Sequence, residues 1–445
     1  MDQAAQLQQV YQEIISRAPE HDIDPTLQRV ADVLDLLGNP QRAYRIIHIT
    51  GTNGKTSTAR MAESVLGELG LRVGRFTSPH LTSVTERISV DGESLSDERF
   101  VEVYQDVLPY IEMVDHKSQS AGGPRLSFFE VLTVMAFAAF ADTPVDVAVV
   151  EVGMGGRWDS TNVADADIAV ITPIAIDHVQ WLGSTVGEIA NEKAGIIKPG
   201  CTVVVGQQDE VATGIILSAA AQQGAKVLRA GEELEVVSRA VAVGGQMISL
   251  RTEGGTYTDI YLPLHGEHQS QNALLALAAV EQLAATGATL SPEVVEQGFG
   301  AATSPGRLEL VRTSPSILVD GAHNPAGAQA LVAALGESFA YQRIIGVVGV
   351  MADKAVEEVL GILEPIFDEI VVTQALSERA LDTDELAKVA NEVFGADRVH
   401  AVANLADAID QAATLAESDG TPGSGIVITG SLLTVAQARI LLSVS

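Results

Sequence analysis

Thr50-Gly51-Thr52-Asn53-Gly54-Lys55-Thr56-Ser57-Thr58 follows the apolar run Tyr44 to Ile49 and opens a segment in which Met61, Val65, Leu66 and Leu69 recur at helical spacing. A buried strand, a glycine-rich turn and a helix, in that order, make a phosphate-binding unit. Backbone N–H groups of such a turn surround phosphate oxygens at the helix N-terminus, the lysine adds a point charge, and the next hydroxyl can hold Mg²⁺. Gly51, Thr52, Asn53, Gly54, Lys55, Thr56 and Ser57 are therefore the candidate contacts to a nucleoside triphosphate. The strict motif has an outer glycine where this chain has Ile49, so the strand-to-helix context carries the reading. An ordinary strand-to-helix turn is the plainer alternative.

The chain has 445 residues, long enough for two or three domains. Hydrophobic residues make up 47% with only 4% aromatic and 40 glycines, which suits an α/β enzyme and excludes a disordered chain. With 27 basic against 58 acidic residues the formal charge is −31, which repels a phosphate backbone and argues against nucleic-acid binding. An anionic substrate then needs locally placed cations. Lys55, Arg87, Arg157, Lys193, Arg307 and Lys354 are candidates. Cys201 is the only cysteine, so neither an intrachain disulfide nor a cysteine-based zinc site is possible. The Gln-rich start, Gln3 to Gln9, lacks a targeting pattern, and no 18-residue apolar run reads as a membrane span. A cytoplasmic protein without membrane partners is expected.

From Tyr44 onward, β-type runs alternate with helical patterns, the signature of an α/β fold with a mostly parallel sheet. Val145 to Val152, Ile168 to Thr172 and Thr202 to Gly206 read as buried strands, and Phe100, Val103, Tyr104, Val107, Leu108 and Ile111 as one helical stripe. Between Val241 and Leu264, Gly244-Gly245 and Gly254-Gly255 separate three β-patterned runs, read as a small antiparallel element. A long helix, about Gln269 to Ala285, follows. The turn formers before Arg307 mark a linker at 302–306, giving a nucleotide-binding domain over 1–301 and a smaller Rossmann-like α/β domain over 307–445. In the second domain the β-type runs are Ser316 to Asp320, Ile344 to Val350, Glu369 to Thr373, Val399 to Val402 and Gly425 to Thr429. A site in the cleft between the two domains, at strand C-terminal ends, is expected.

Three further groups carry chemistry. Glu151 ends the Val145 run and leads into Gly153-Met154-Gly155-Gly156-Arg157; a carboxylate there is what Mg²⁺ beside a triphosphate requires, and the glycines would let backbone approach a ligand. A salt-bridged structural acid is the alternative. His178 follows the Ile168 run and is a candidate metal or phosphate contact, while on residue type alone Lys193 reads as a surface lysine. Ser78-Pro79-His80-Leu81 leaves the Val73 to Phe76 run, and Asp320-Gly321-Ala322-His323-Asn324-Pro325 opens a helix that Asn324 would cap, with Pro325 at its first position. Turn chemistry explains these prolines and glycines but not the two histidines.

Assembled in order, these stretches resemble the folylpolyglutamate synthase and dihydrofolate synthase branch of the Mur ligase superfamily. The matching segments run from Leu34-Asp35-Leu36-Leu37-Gly38-Asn39-Pro40-Gln41 to Thr429-Gly430-Ser431-Leu432. Between them lie Glu86-Arg87-Ile88, Glu192-Lys193-Ala194-Gly195 and Pro305-Gly306-Arg307-Leu308-Glu309. The resemblance implies an ATP-dependent ligase that phosphorylates a folate or dihydropteroate carboxylate and then joins L-glutamate to it. By motif it implies Lys55 on the β/γ-phosphates and Thr56, Ser78 and Glu151 at a first Mg²⁺. His178 and a carbamylated Lys193 would serve a second Mg²⁺. It also implies Asn272, Arg307 and Asp320 as nucleotide contacts, and His323 as a catalytic or glutamate-orienting group. His80, Arg87, Phe128 and Ser431 fall on the substrate side, although Phe128 and Phe129, as members of a helix-patterned apolar run, read as core rather than pocket.

Two other functions compete. A muramyl-peptide ligase uses the same chemistry on a UDP-linked precursor, but such enzymes carry a UDP-sugar domain before the glycine turn, and only about 50 residues precede Lys55 here. A nucleotide-binding regulator without turnover would have no need of Glu151, His178, Lys193, Arg307 and His323 together. A monomer is expected, since no long exposed apolar stripe is evident.

Overall fold

Residues 3–19, 24–284, 287–418 and 423–443 are described by the computed structural model. They pack as two compact units. One comprises the chain up to Ser238 with Ile248–Tyr261 and Ser270–Ala302; the other comprises Arg239–Met247, Leu262–Gln269 and the chain from Thr303.

In the first unit β1 (Arg45–Thr50), β2 (Val73–Phe76), β3 (Ile88–Val90), β4 (Glu93–Ser94), β5 (Val147–Glu151), β6 (Ile168–Ile171), β7 (Thr202–Val205) and β8 (Lys226–Arg229) form one sheet in the order β4-β3-β2-β5-β1-β6-β7-β8. The pairings from β2 across to β8 are parallel, and β3 and β4 add an antiparallel edge. β1 lies at the centre because its apolar run is buried on both faces, as parallel strands covered by helices require. The strand order reverses around β1, so the chain ends leaving β2, β5, β1 and β6 open side by side. That is where ligands bind in open α/β sheets.

Helix Phe128–Asp142 is apolar nearly all round and is buried accordingly, in one core with Val30, Val33, Phe76, Phe100 and Ile111. Ser127 starts it through a capping box with Glu130. The expected stripe around Val103 lies on helix Asp97–Ser120.

The expected β-patterned insertion is β9 (Glu235–Ala242), β10 (Gly245–Arg251) and β11 (Thr256–Leu262), in the order β11-β10-β9. Val243-Gly244 is too short a link for anything but an antiparallel pair. The following helix is Glu267–Ala284; Ala285 lies outside the described residues.

The second unit contains β12 (Glu309–Thr313), β13 (Ser316–Val319), β14 (Arg343–Val348), β15 (Glu369–Val372), β16 (Val399–Ala401) and β17 (Ser424–Thr429), ordered β12-β13-β17-β14-β15-β16. β12 is an antiparallel edge strand that the sequence pattern did not announce, and the other pairings are parallel. Helix Pro325–Ser338 begins as its sequence dictates: the Asn324 side chain accepts from the Gly327 N–H at 2.8 Å and Pro325 takes the first turn.

Candidate functional site

The turn after β1 holds a shape that only glycine allows at two points. Gly51 has φ 148°, and a Cβ there would fall 1.8 Å from Thr172 Oγ1 and 2.9 Å from the Thr172 carbonyl oxygen. Gly54 has φ 91°, and a Cβ would fall 2.4 Å from Asn272 Oδ1. Asn272, expected near the nucleotide, is thus packed against the turn that opens helix Lys55–Glu68. The chain after β6 clamps the other side. Thr172 Oγ1 donates to the Asn53 carbonyl at 2.7 Å, Thr52 N–H to the Pro173 carbonyl at 3.0 Å, and Thr52 Oγ1 to the Ala175 carbonyl at 3.0 Å. Thr172 and Thr52 therefore set the turn's shape, a role that nothing in the spacing of the sequence announced for Thr172.

Lys55 Nζ folds back to donate to the Gly51 and Thr52 carbonyls at 3.1 and 3.2 Å. The Thr56 hydroxyl donates to the Glu151 carboxylate, 3.0 Å from Oε1 and 2.9 Å from Oε2, and the Ser78 N–H approaches Oε2 at 3.4 Å. Thr56, Ser78 and Glu151 therefore converge from the ends of β1, β2 and β5. Among the described residues no three histidines, cysteines or acids gather to hold a metal. One carboxylate with hydroxyl and phosphate oxygens is nonetheless the hard, oxygen-only donor set that Mg²⁺ takes, so these residues fit the ion.

Lys193 corrects the plain reading of its residue type. It ends helix Val186–Lys193, is 4% exposed, and donates from Nζ to the Gly51 carbonyl at 2.8 Å. Burial, reinforced by the charge of Lys55, pushes its ammonium down to about 7. Of the glycines after Glu151, Gly156 explains this placement. A Cβ on Gly156 would lie 2.9 Å from the Glu192 and Lys193 carbonyl oxygens, and one on Gly153 would lie 2.5 Å from the Phe129 ring. Those two glycines admit neighbouring protein rather than a ligand. Asp159 fixes the loop by accepting from Met154 N–H at 2.9 Å and Thr161 N–H at 3.0 Å.

His178 lies in the left-handed region at φ 50° and stands at the N-cap position of a short helix without a side-chain cap bond, with Asp177 Oδ2 4.0 Å from its Nε2. On the other flank Arg87 Nε donates to His80 Nδ1 at 2.9 Å, and its guanidinium covers the Phe128 ring at 5.0 Å. Tyr11 meets both His80 and Phe128 edge-on. Three expected substrate-side residues therefore form one cluster, although Phe128 is as buried as its apolar run suggests.

In the second unit Asp320 accepts from the Leu308 and Ala322 N–H groups, both at 2.8 Å, and so ties the segment carrying Arg307 to the one carrying His323. Burial pushes its carboxyl up, opposed by the charge of Arg307 and these two N–H groups. A Cβ on Gly321 would lie 2.4 Å from Arg307 Nη1, so that glycine gives the guanidinium its place. His323 Nδ1 lies 2.8 Å from the Gly321 carbonyl oxygen. Ser431 is 3% exposed and caps helix Leu432–Leu441, accepting from Thr434 N–H at 3.0 Å.

Two family models match the chain: the Mur ligase middle domain over residues 49–280 and the Mur ligase glutamate ligase domain over 306–432. A dihydrofolate synthase/folylpolyglutamate synthase of Mycobacterium tuberculosis is 50% identical, with 99% of this chain and 94% of that protein aligned. The protein of the same name from Bacillus subtilis is 35% identical over 94% of this chain and 95% of its own. The M. tuberculosis folylpolyglutamate synthase solved with ADP superposes with a TM-score of 0.96, at 50% identity and 100% coverage of both chains. An Escherichia coli protein solved with DHPP and ADP gives 0.84 at 29% identity, covering 98% of this chain and 97% of that one.

Proposed function

The chain belongs to the Mur ligase family, and from that premise we propose that it is an ATP-dependent ligase joining L-glutamate to folates and to dihydropteroate. The observation that carries the reading is the convergence of Thr56 and Ser78 on Glu151 beside the Gly51–Ser57 turn.

A carboxylate is a poor electrophile, and phosphorylation gives it a leaving group. One oxygen of the acceptor carboxylate attacks the γ-phosphorus of ATP, the bond to ADP breaks, and an acyl phosphate forms. The neutral amine of L-glutamate then attacks the acyl carbon, phosphate departs with the bridging oxygen, and the amine loses a proton. The protein's part in this is positioning and charge neutralisation. Lys55, now bonded to neutral carbonyls, gains a stronger charge-assisted bond by turning to the phosphates. Thr56, Ser78 and Glu151 would hold Mg²⁺, which would supply positive charge to the phosphate oxygens.

Arg307, Asp320 and Asn272 are assigned to the nucleotide, His323 and Ser431 to the glutamate side, and His80, Arg87 and Phe128 to the acceptor. His178 and Lys193 serve a second Mg²⁺ in this reading. A lysine held near 7 has a large share of neutral amine at physiological pH, the form that adds carbon dioxide, forming an N–C bond and releasing a proton. That supports carbamylation of Lys193, tested by a carbon-13 carbamate resonance that appears with labelled bicarbonate and is lost in Lys193→Met. A cytoplasmic monomer without nucleic-acid partners completes the reading; the formal charge of −31 supports the last point, and no helix among the described residues is long and apolar enough to cross a membrane.

The test is phosphate release from ATP and Mg²⁺. It should require L-glutamate together with dihydropteroate or a reduced folate. Turnover with a UDP-muramyl precursor and none with either folate-type acceptor would assign the chain to the other branch.

A further inference from the structure

Arg60 lies on helix Lys55–Glu68, four residues after Thr56 and therefore on the same face. Helical side chains lean toward the N-terminus, so its guanidinium projects over the turn that carries Thr56. It is partly buried, and the carboxylates of Glu63, Glu86 and Glu151 all act on it electrostatically.

Each of those acids is committed elsewhere. Glu63 receives Arg75 Nε at 2.6 Å on one oxygen and the Ser89 hydroxyl at 3.0 Å on the other. Glu86 accepts from the N–H groups of Leu81, Thr82 and Ser83 at 2.8 to 2.9 Å. Glu151 holds Thr56 and Ser78. Among the described residues Arg60 itself makes no side-chain hydrogen bond or ion pair. Its guanidinium is lowered to about 10 by burial and by the like charge of Arg75, against the pull of the three acids. Its N–H groups are not sealed in the core, so a partly stripped guanidinium with no protein acceptor is open to an incoming anion that takes the place of water.

The position narrows the anion. Glu151 and Thr56 mark the metal and γ-phosphate side, and Glu86 ends the loop that carries His80 and adjoins Arg87, the acceptor side. A fork of N–H donors between them matches the two oxygens of a carboxylate. We propose that Arg60 binds the acceptor carboxylate that becomes phosphorylated, holding it for attack on the γ-phosphate. This rests on the ligase reading above.

The test compares Arg60→Gln and Arg60→Lys with the parent protein in acceptor-dependent phosphate release, with ADP–Mg²⁺ affinity measured by calorimetry on the same preparations. Arg60→Gln should raise the acceptor KM at least about tenfold, the effect of losing about 1.4 kcal/mol of binding. Its ADP affinity should stay within about twofold, because no nucleotide contact is assigned to it. Arg60→Lys keeps the charge without the fork and should fall between the two. An acceptor KM unchanged in a folded Arg60→Gln protein would overturn the proposal, as would an equal loss of ADP affinity. If the parent protein releases no phosphate with either acceptor, the ligase reading fails and this assignment fails with it; an active parent with an indifferent Arg60→Gln sinks Arg60 alone. Should Arg60→Gln fail to fold, Arg60→Lys decides: an acceptor KM equal to the parent's overturns the role of the fork.

Discussion

Gly51→Ala should damage the nucleotide site more than its single methyl suggests. The new Cβ meets Thr172 Oγ1 at 1.8 Å and the Thr172 Cβ and carbonyl oxygen both at 2.9 Å, and only the first of these belongs to a movable atom. At φ 148° an alanine also carries backbone strain of about 1–2 kcal/mol. The turn must therefore shift, and the Gly51 carbonyl is the common acceptor of Lys55 Nζ at 3.1 Å and Lys193 Nζ at 2.8 Å. Weakening one such charge-assisted bond costs about 1.5–3 kcal/mol. Together these give about 3–5 kcal/mol, divided between folding and nucleotide binding. If half falls on binding, ADP–Mg²⁺ affinity drops about 10- to 100-fold. Calorimetric titration with ADP and urea unfolding measure the two shares. Adding Thr172→Ala removes the 1.8 Å contact but leaves the backbone one, so it should restore part of the loss. An alanine variant with ADP affinity and unfolding free energy both equal to the parent's would refute the reasoning.

Further outcomes follow from the same geometry. Glu151→Gln keeps an acceptor for Thr56 but removes the charge, so the Mg²⁺ concentration needed for half-maximal activity should rise at least about tenfold, while ADP binding without Mg²⁺ stays unchanged. In bicarbonate-free buffer, where Lys193 is the free amine, it binds its proton less readily when folded, so between about pH 7 and 10.5 the unfolded chain holds a proton that the folded one lacks, and stability rises with pH across that window. Lys193→Met should abolish this contribution, about 1.4 kcal/mol per pH unit at most. Urea midpoints of both proteins at pH 7 and pH 9 check it; a difference between them that does not change with pH would count against the burial argument. Asp320→Asn can satisfy only one of the Leu308 and Ala322 N–H groups, so it should destabilise the second unit by about 1–3 kcal/mol and loosen the segment carrying Arg307, read by unfolding monitored alongside ADP affinity.

What the sequence reveals follows from how local its causes are. The strand–turn–helix at Gly51 and the Asn324-Pro325 helix start are written within about a dozen residues each, and both are found where the pattern puts them. Lys193 is different. Its burial depends on Gly156 admitting the end of its helix and on the Gly51 carbonyl reaching it from another strand, relations of packing that spacing does not encode. The same holds for Arg60, whose neighbouring acids come from β5, the loop after β2 and its own helix. The glycines at Gly153 and Gly156 were legible as close approaches, but not what approaches them. Edge strand β12 was hidden because its alternation is short and Leu310, on its exposed face, breaks the apolar-in, polar-out pattern.

The most direct test follows one atom. With oxygen-18 in the acceptor carboxylate, the acyl-phosphate route carries one labelled oxygen into each phosphate released alongside the amide product. One oxygen-18 per phosphate is expected, dependent on ATP, Mg²⁺ and L-glutamate. Amide formation with unlabelled phosphate would contradict it.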